Sequence, residues 1–177
     1  MSNARVVSCI LLSFSILSLC SAQDGRAPST REERQRFLTL TRKLEQGPLD
    51  KSLYAEKKWA KQWLEDIPDI NVTICAPLLF GVDFIPEQNK YTSQLSYQAT
   101  FGSAAYIIEH PGKAGDLDAQ FLAGVESALK AYSAIVKSEP QAKSKALDDL
   151  LEKQRQGKLA DFVRSASKTC QDKKEGM

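Results

Sequence analysis

Few residues in this chain have the types and spacing that catalysis or metal binding requires. The sequence has a single histidine, His110, so a site with several histidine ligands is excluded. Because His110 follows a predicted helix, its ordinary role is to contact the last helical carbonyls. Asp116 and Asp118 begin like a calcium loop, but Phe121 stands where that loop needs glycine and Ser127 where it needs glutamate. The motifs therefore predict no metal ion, no cofactor and no catalytic residue.

One motif has the spacing of a nucleophilic enzyme. Ser165 and Lys168 match the Ser-x-x-Lys of serine acyl-transfer enzymes, but the companion Ser-Asp-Asn motif does not occur. The chain also has no glycine-rich loop that could hold phosphates. An enzyme would therefore need a site assembled only in the fold. The candidates for such a site are Tyr91, Tyr97, Glu109 and His110.

A small cluster of positive charge occurs at Lys57, Lys58 and Lys61, beside Trp59 and Trp63. Basic residues interleaved with aromatic ones are typical of anion or nucleic-acid binding. Three acidic residues between positions 56 and 66 dilute this charge, and the formal charge of the whole chain is only +2. We therefore interpret the cluster as a solvated helix face and predict no nucleic-acid partner.

The N-terminus has the three parts of a secretory signal peptide. Arg5 is followed by an uncharged apolar stretch from Val6 to Leu19, and Cys20-Ser21-Ala22 supplies small residues for cleavage. A membrane anchor is the alternative, but that stretch is shorter than the roughly 20 residues needed to span a bilayer. Residues 1–22 are therefore predicted to be removed. The mature chain is expected to be soluble, without a transmembrane segment, in a periplasmic or extracellular compartment.

Cleavage would leave two of the four cysteines, Cys75 and Cys170. An oxidising destination favours a disulfide between them, and two buried thiols are the alternative. The bond would close a loop of about 95 residues, which the chain-entropy model values at about 4–5 kcal/mol. We therefore predict a Cys75–Cys170 disulfide that ties the end of the chain to its middle.

The longest helical pattern runs from Leu117 to Val136. Its apolar residues recur at steps of three and four, Asp116 precedes them as an N-cap, and Pro140 follows as a breaker. Such a helix is roughly 30 Å long, so other helices must cover its apolar face. The segment 91–109 carries small residues at 102–105 that allow close approach. It is therefore predicted to pack centrally against Leu117–Val136.

The remaining helices have clear start and stop signals. Thr30 and Glu33 have capping-box spacing, and Asp50 is placed to cap the next helix. Pro140 is predicted in the first turn of a later helix. Its apolar stripe is Ala146, Leu147, Leu150 and Leu151; the stripe of the last helix is Leu159, Phe162, Val163 and Ala166, with Cys170 continuing that face. The fold class is thus all-α.

The predicted organisation is one helical domain at 30–170, between a flexible segment at 23–29 and a polar tail at 171–177. It is a bundle of five or six helices with one irregular insert at about 69–89. Within the insert, Ile70, Val72 and Ile74 alternate as in a strand, whereas Ile70, Ile74 and Leu78 fit a helix, and both remain open. Asn71 begins a glycosylation sequon that has meaning only in a eukaryote.

The insert also carries a run of large apolar residues: Leu78, Leu79, Phe80, Phe84 and Ile85. They either pack against the bundle or form an exposed patch for a partner. Because no catalytic motif is found, the first hypothesis is an exported, non-enzymatic module that uses this patch to bind a protein or a small apolar ligand. The alternatives are an enzyme with a site assembled only in the fold and a structural component of the cell envelope.

Overall fold

Seven α-helices lie in the part of the chain that the structure describes. This computed structural model describes residues 26–81, 90–168 and 170, so the predicted signal peptide and polar tail lie outside it. The helices are α1 (Arg31–Gln46), α2 (Tyr54–Asp66), α3 (Pro77–Phe80), α4 (Thr92–Glu109), α5 (Leu117–Ser138), α6 (Lys145–Arg155) and α7 (Leu159–Ala166). These ranges contain no strand. The predicted all-α bundle is confirmed, with the single turn α3 inside the predicted insert.

The capping signals that the sequence contains are used in the fold. The Thr30 hydroxyl accepts from the Glu33 amide at 3.1 Å, and the Glu33 carboxylate accepts from the Thr30 amide at 2.9 Å. The Asp116 carboxylate caps α5 by accepting from the Ala119 amide at 3.0 Å. Asp50 differs from the prediction. It caps a short 3₁₀ turn, Lys51–Leu53, which continues directly into α2, so the cap lies one turn before the helix.

Helices α4 and α5 cross at very short distance, as the small residues predicted. A Cβ atom on Gly102 would lie 2.8 Å from the Ala123 carbonyl oxygen, and one on Gly124 would lie 2.8 Å from the Ala99 carbonyl oxygen. The Ser103 hydroxyl donates across the same interface to a carbonyl of α5 at 2.8 Å. Glycine is therefore required at both positions because each backbone lies where a side chain would begin.

Two hydrophobic clusters fill the interior. The first surrounds α5 and gathers residues of α3, α6 and α7; the second packs α1, α2 and α4 together around Phe37, Trp63 and Phe101. The Phe37 ring lies 4.9 Å from the Trp63 ring and 5.2 Å from the Phe101 ring, centroid to centroid. On α4, Leu95 belongs to the first cluster and Phe101 to the second. This helix therefore joins the two halves of the core.

A polar layer occupies the position on α4 between those two residues. The buried Gln98 amide donates to the Ser127 hydroxyl at 2.8 Å and to the Thr41 carbonyl at 3.2 Å. Ser127 in turn donates to the Glu45 carboxylate at 2.8 Å, and Lys130 forms an ion pair with that carboxylate at 3.3 Å. We call Thr41, Glu45, Gln98 and Ser127 the polar layer. It connects α1, α4 and α5 through side chains that are all buried.

The segment before α3 is neither strand nor helix. Residues 70–75 belong to no helix and pair with no neighbouring strand in the described ranges. Ile70 is buried in the second cluster, whereas Ile74 is 67% exposed, so the alternating residues do not share one face. Cys75, next in the chain, is buried in the first cluster. The segment therefore crosses from the second cluster to the first. Because of this crossing, the alternating apolar residues are not buried on one side as they would be in a strand.

The C-terminal helices α6 and α7 cover one side of the first cluster. Cys75 and Cys170 form the predicted disulfide, with their Cα atoms 5.9 Å apart. The predicted stripes are buried or half-buried with one exception: Ala146 is exposed, because α6 turns only Leu147 and Leu150 fully inward. Pro140 also differs from the prediction, since it opens a separate 3₁₀ turn, Pro140–Ala142, and α6 begins later.

A buried tyrosine links α5 to the start of α6. The Tyr132 hydroxyl accepts from the Ser144 amide at 2.8 Å and donates to the Asp148 carboxylate at 2.8 Å. Burial raises the pKa of Tyr132 to about 12. The Ser144 side chain makes no capping hydrogen bond, and the phenol satisfies the backbone amide of Ser144 just before α6 begins.

Candidate functional site

A groove between α2 and α4 is the best-formed candidate site. Its volume is about 360 Å³, within the range of small-molecule pockets. We call it the lysine–tyrosine groove; its lining residues are Leu44, Tyr54, Lys57, Lys58, Lys61, Gln94, Tyr97, Gln98 and Phe101. Leu44 and Phe101 are buried members of the second cluster. The groove therefore combines an apolar floor with polar and aromatic walls.

Helical spacing explains why these side chains face one another. On α2, Tyr54, Lys57, Lys58 and Lys61 are separated by steps of three and four, which places them on one side of the helix. On α4, the residues at 94, 97, 98 and 101 follow the same spacing. Because α2 packs on α1 through Trp63, its lysine-bearing side is turned toward α4 and leaves the groove between them.

Two tyrosine rings stand in solvent at the groove. Tyr54 is 71% exposed and Tyr97 is 42% exposed; with Ile74, they are the large hydrophobic residues that stand out from the described surface. The Lys61 ammonium group lies 4.7 Å from the centroid of the Tyr97 ring, and its interaction with that tyrosine raises the pKa of Lys61. Exposed aromatic rings beside a cavity are typical of surfaces that bind a partly apolar ligand.

The lysines of the groove have no carboxylate partner in the described part of the chain. Lys57, Lys58 and Lys61 form no ion pair there, whereas arginines elsewhere, such as Arg36 with Glu56, are paired at 2.8 Å. Lys57 is half-buried, and its ammonium group donates to the Gln94 side-chain oxygen at 2.7 Å. Burial lowers the pKa of Lys57. Within the described residues, the groove thus presents three ammonium groups without a salt bridge, although the nearby charge of Glu65 contributes to raising the pKa of Lys61.

A second lobe continues the groove at one end. It has a volume of about 500 Å³ and shares Tyr54, Lys57 and Gln94 with the first. Beyond these it is lined by Pro48, Leu49, Asp50 and Lys51. The two lobes meet at Lys57, so the site is elongated and its half-buried ammonium group lies at the junction.

The lysine cluster recognised in the sequence faces these tyrosines and not the neighbouring tryptophans. The guanidinium of Arg36 covers the Trp59 ring at 3.8 Å, and Trp63 is buried against Phe37. Lys58 and Lys61 are exposed, as expected for a solvated face, but the sequence did not predict the groove beside them. The helical spacing of Tyr54 and Lys58 indicates that they share one face of α2. The groove also needs α4 as its opposite wall, and α4 lies far along the chain.

The predicted apolar patch is only partly within the described residues. Leu78, Leu79 and Phe80 are all buried in the first cluster, where α3 packs beside α6 and α7. These three residues therefore offer no exposed surface, in agreement with the packing alternative. Phe84 and Ile85 lie outside the described residues, so the patch as a whole remains untested.

The four residues proposed for an assembled enzymatic site are not brought together. Tyr91 and His110 flank opposite ends of α4, and Tyr97 lies in the groove between them. The Glu109 carboxylate forms an ion pair with Arg42 at 3.1 Å. These positions are spread along the 18 residues of α4, about 27 Å at the usual helical rise. This arrangement provides no common cleft for them.

His110 has the structural role predicted for it. Its Nδ1 lies 3.1 Å from the Tyr106 carbonyl oxygen, and the two rings stack 4.5 Å apart. No group of three histidine, cysteine or acidic residues that could hold a metal ion occurs in residues 26–81, 90–168 and 170. Over the same ranges, no helix has both the length and the apolar character needed to cross a membrane.

The chemistry of the groove is defined by its own lining residues. Its function must therefore be argued from the chemistry of its walls: unpaired ammonium groups, exposed phenol rings and an apolar floor. A fold alone would not supply that function in any case, since one architecture carries many activities. Comparison with protein-family models, with curated proteins and with solved structures finds no match to this chain.

Proposed function

We propose that this protein is a non-enzymatic binding module whose lysine–tyrosine groove takes a small amphipathic anion, an elongated apolar body that ends in a carboxylate. One observation carries the proposal: three lysines, which form no ion pair with the described residues, and two exposed tyrosines surround a cavity with a buried apolar floor. An apolar body removes the tyrosine rings and the floor from water, which is the main source of affinity. The ammonium groups then select the sign of the ligand's charge.

The same features favour a small ligand over a nucleic acid. A nucleic acid needs positive charge along an extended track of phosphates, and its binding is dominated by that charge. Here only three lysines, all on α2, line the groove, and Asp50 lies in the second lobe. With a formal charge of +2 for the whole chain, the long-range attraction for a polyanion is weak.

Calorimetric titration of the purified protein with three probes that carry a ten-carbon chain tests the proposal. The probes share a ten-carbon chain and carry a negative, a neutral and a positive head group. We expect decanoate to bind about tenfold or more tightly than decanol, and decyltrimethylammonium to bind more weakly than either, because the lysines favour a negative head group. Reversing two exposed charges together, Lys58→Glu with Lys61→Glu, is expected to reduce decanoate affinity about tenfold or more.

The matched control reverses two exposed lysines that do not line the groove, Lys113→Glu with Lys143→Glu. It changes net charge by the same amount and is expected to leave decanoate affinity within about twofold of wild type, since distant surface charges are screened by salt. Equal affinity for all three probes, or an equal loss in both double variants, would contradict the proposal. The melting temperature of each variant reports whether its fold is retained.

We also propose that the chain is exported to a periplasmic or extracellular compartment after release of residues 1–22. The Cys75–Cys170 disulfide supports this, because such bonds persist in oxidising compartments. Mass spectrometry of protein recovered from its native cells, treated with an alkylating agent without reductant, is the test. We expect a mass lacking residues 1–22 and no alkylated cysteine. Retained residues 1–22 or two alkylated cysteines would contradict export.

A further inference from the structure

We propose that Lys57 is the residue that binds the ligand's carboxylate, and that Gln94 positions its ammonium group to do so. This inference rests on the proposed function of the lysine–tyrosine groove and assigns the charge selectivity to one side chain. Lys57 lines both lobes of the groove, as does Gln94. If the ligand's carboxylate lies where the two lobes meet, its apolar body can lie over the floor formed by Leu44 and Phe101.

The environment of Lys57 is one that needs a counter-charge. Its side chain is half-buried, and in the described part of the chain its ammonium group has neutral hydrogen-bond partners only. Removing a charge from water without an ionic partner is unfavourable, and burial lowers the pKa of Lys57 accordingly. An anionic ligand would supply the missing partner. The free groove thus contains an ammonium group whose solvation is incomplete.

Hydrogen bonding fixes where that ammonium group lies. It donates to the Gln94 side-chain oxygen at 2.7 Å and, more weakly, to the Pro48 carbonyl at 3.4 Å. An ammonium group has three donors, so one N–H remains for a ligand in the shared lobe. Because the group is already held in place, binding an anion there costs little side-chain entropy.

The other two lysines are less suited to this role. Lys58 and Lys61 are exposed, so water screens their charge. Lys61 also lies over the Tyr97 ring, with which it interacts. We therefore assign them to long-range attraction and Lys57 to direct contact. Substitution of Lys58 or Lys61 should weaken decanoate binding modestly and to a similar extent. Substitution of Lys57 should abolish the preference of the groove for a carboxylate over an alcohol.

Single neutral substitutions separate these roles. The quantity measured is the ratio of decanoate affinity to decanol affinity, at fixed salt, for wild type, Lys57→Gln, Lys58→Gln and Lys61→Gln. We expect Lys57→Gln to reduce the ratio about tenfold, to near one, with decanol affinity unchanged. Lys58→Gln and Lys61→Gln should each change it by less than about threefold. Lys57→Arg, which keeps the charge, should restore part of the ratio.

A substitution at Gln94 tests the positioning role without altering Lys57. Gln94→Glu keeps an oxygen acceptor of the same reach but adds a carboxylate that pairs with the ammonium group. We expect the ratio of decanoate affinity to decanol affinity to fall about tenfold, because the new carboxylate at position 94 takes the place of the ligand's carboxylate beside Lys57. Thermal unfolding of the variant should match or exceed that of wild type. A loss of decanol binding in parallel would instead indicate a structural effect and contradict the positioning role.

The possible outcomes distinguish this inference from the proposal on which it depends. If Lys57→Gln keeps the ratio while Lys58→Gln or Lys61→Gln removes it, Lys57 is not the anion-binding residue, although the groove still binds anions. If wild type binds decanoate no better than decanol, the proposed function fails and this inference fails with it. A ratio lost only in Lys57→Gln and Gln94→Glu supports both.

Discussion

Replacing both Cys75 and Cys170 by alanine is expected to lower the free energy of unfolding by about 4–5 kcal/mol. The bond joins residues 95 positions apart, and removing it releases the unfolded chain from a long closed loop. Many domains have a total stability of about 5–15 kcal/mol, so the variant should be close to unfolding at moderate temperature. Urea denaturation of the double variant and the wild type gives the difference directly.

Wild-type protein measured in a reducing agent is the control for that experiment. It should lose about the same free energy as the double alanine variant, and the variant itself should not respond to the reductant. The helical signal of the folded state should remain at low temperature, since the second cluster does not include either cysteine and most of the first cluster consists of other side chains. A double variant as stable as oxidised wild type would show that the bond does not constrain the unfolded chain.

Alanine at Gly102 or Gly124 is expected to destabilise the fold by about 2–3 kcal/mol each. In an ordinary helix this change stabilises by about 1 kcal/mol, so the expected sign is reversed here. The reason is the crossing of α4 and α5. A Cβ atom at either glycine would lie 2.8 Å from a backbone carbonyl oxygen of the other helix, and backbone cannot rotate away as a flexible side chain can. Thermal unfolding measures the loss.

Gly112→Ala provides the matched control for the two glycine variants. A Cβ atom there meets nothing within 4 Å, and Gly112 lies in the short 3₁₀ turn after α4. We expect it to be neutral or to stabilise by about 0.5 kcal/mol through the unfolded state. If Gly102→Ala and Gly124→Ala behaved like Gly112→Ala, the close approach of α4 and α5 would be wrong.

The helices could be predicted because their signals are local. Thr30 with Glu33, and Asp116 before α5, satisfy amide groups within a few residues, and such hydrogen bonds hardly depend on the rest of the fold. The disulfide could be predicted because only two cysteines would remain after cleavage and because Cys170 continues the buried face of α7. The central placement of α4 followed from its small residues, which only a close neighbour makes useful.

Other features depend on neighbours that the sequence does not identify. Residues 70–75 alternate as a strand would, yet they cross between two clusters whose position is set by α1 and α5. The lysine–tyrosine groove needs α2 and α4 on opposite sides, and Tyr54 and Tyr97 come from segments far apart in the chain. Lys57 was visible as a charge, but its burial and its bond to Gln94 come from tertiary packing alone.

The polar layer has a consequence for how the helices are aligned. Apolar side chains tolerate many similar contacts, so the two clusters alone would permit α4 to slide one turn along α5. Such a slip would separate the Gln98 amide from the Ser127 hydroxyl and from the Thr41 carbonyl. Each buried polar group that loses its hydrogen-bond partner would destabilise the fold by about 1–3 kcal/mol. The layer therefore acts with the close contacts at Gly102 and Gly124 to specify one register of α4 against α1 and α5, and with it the position of the α4 wall of the groove.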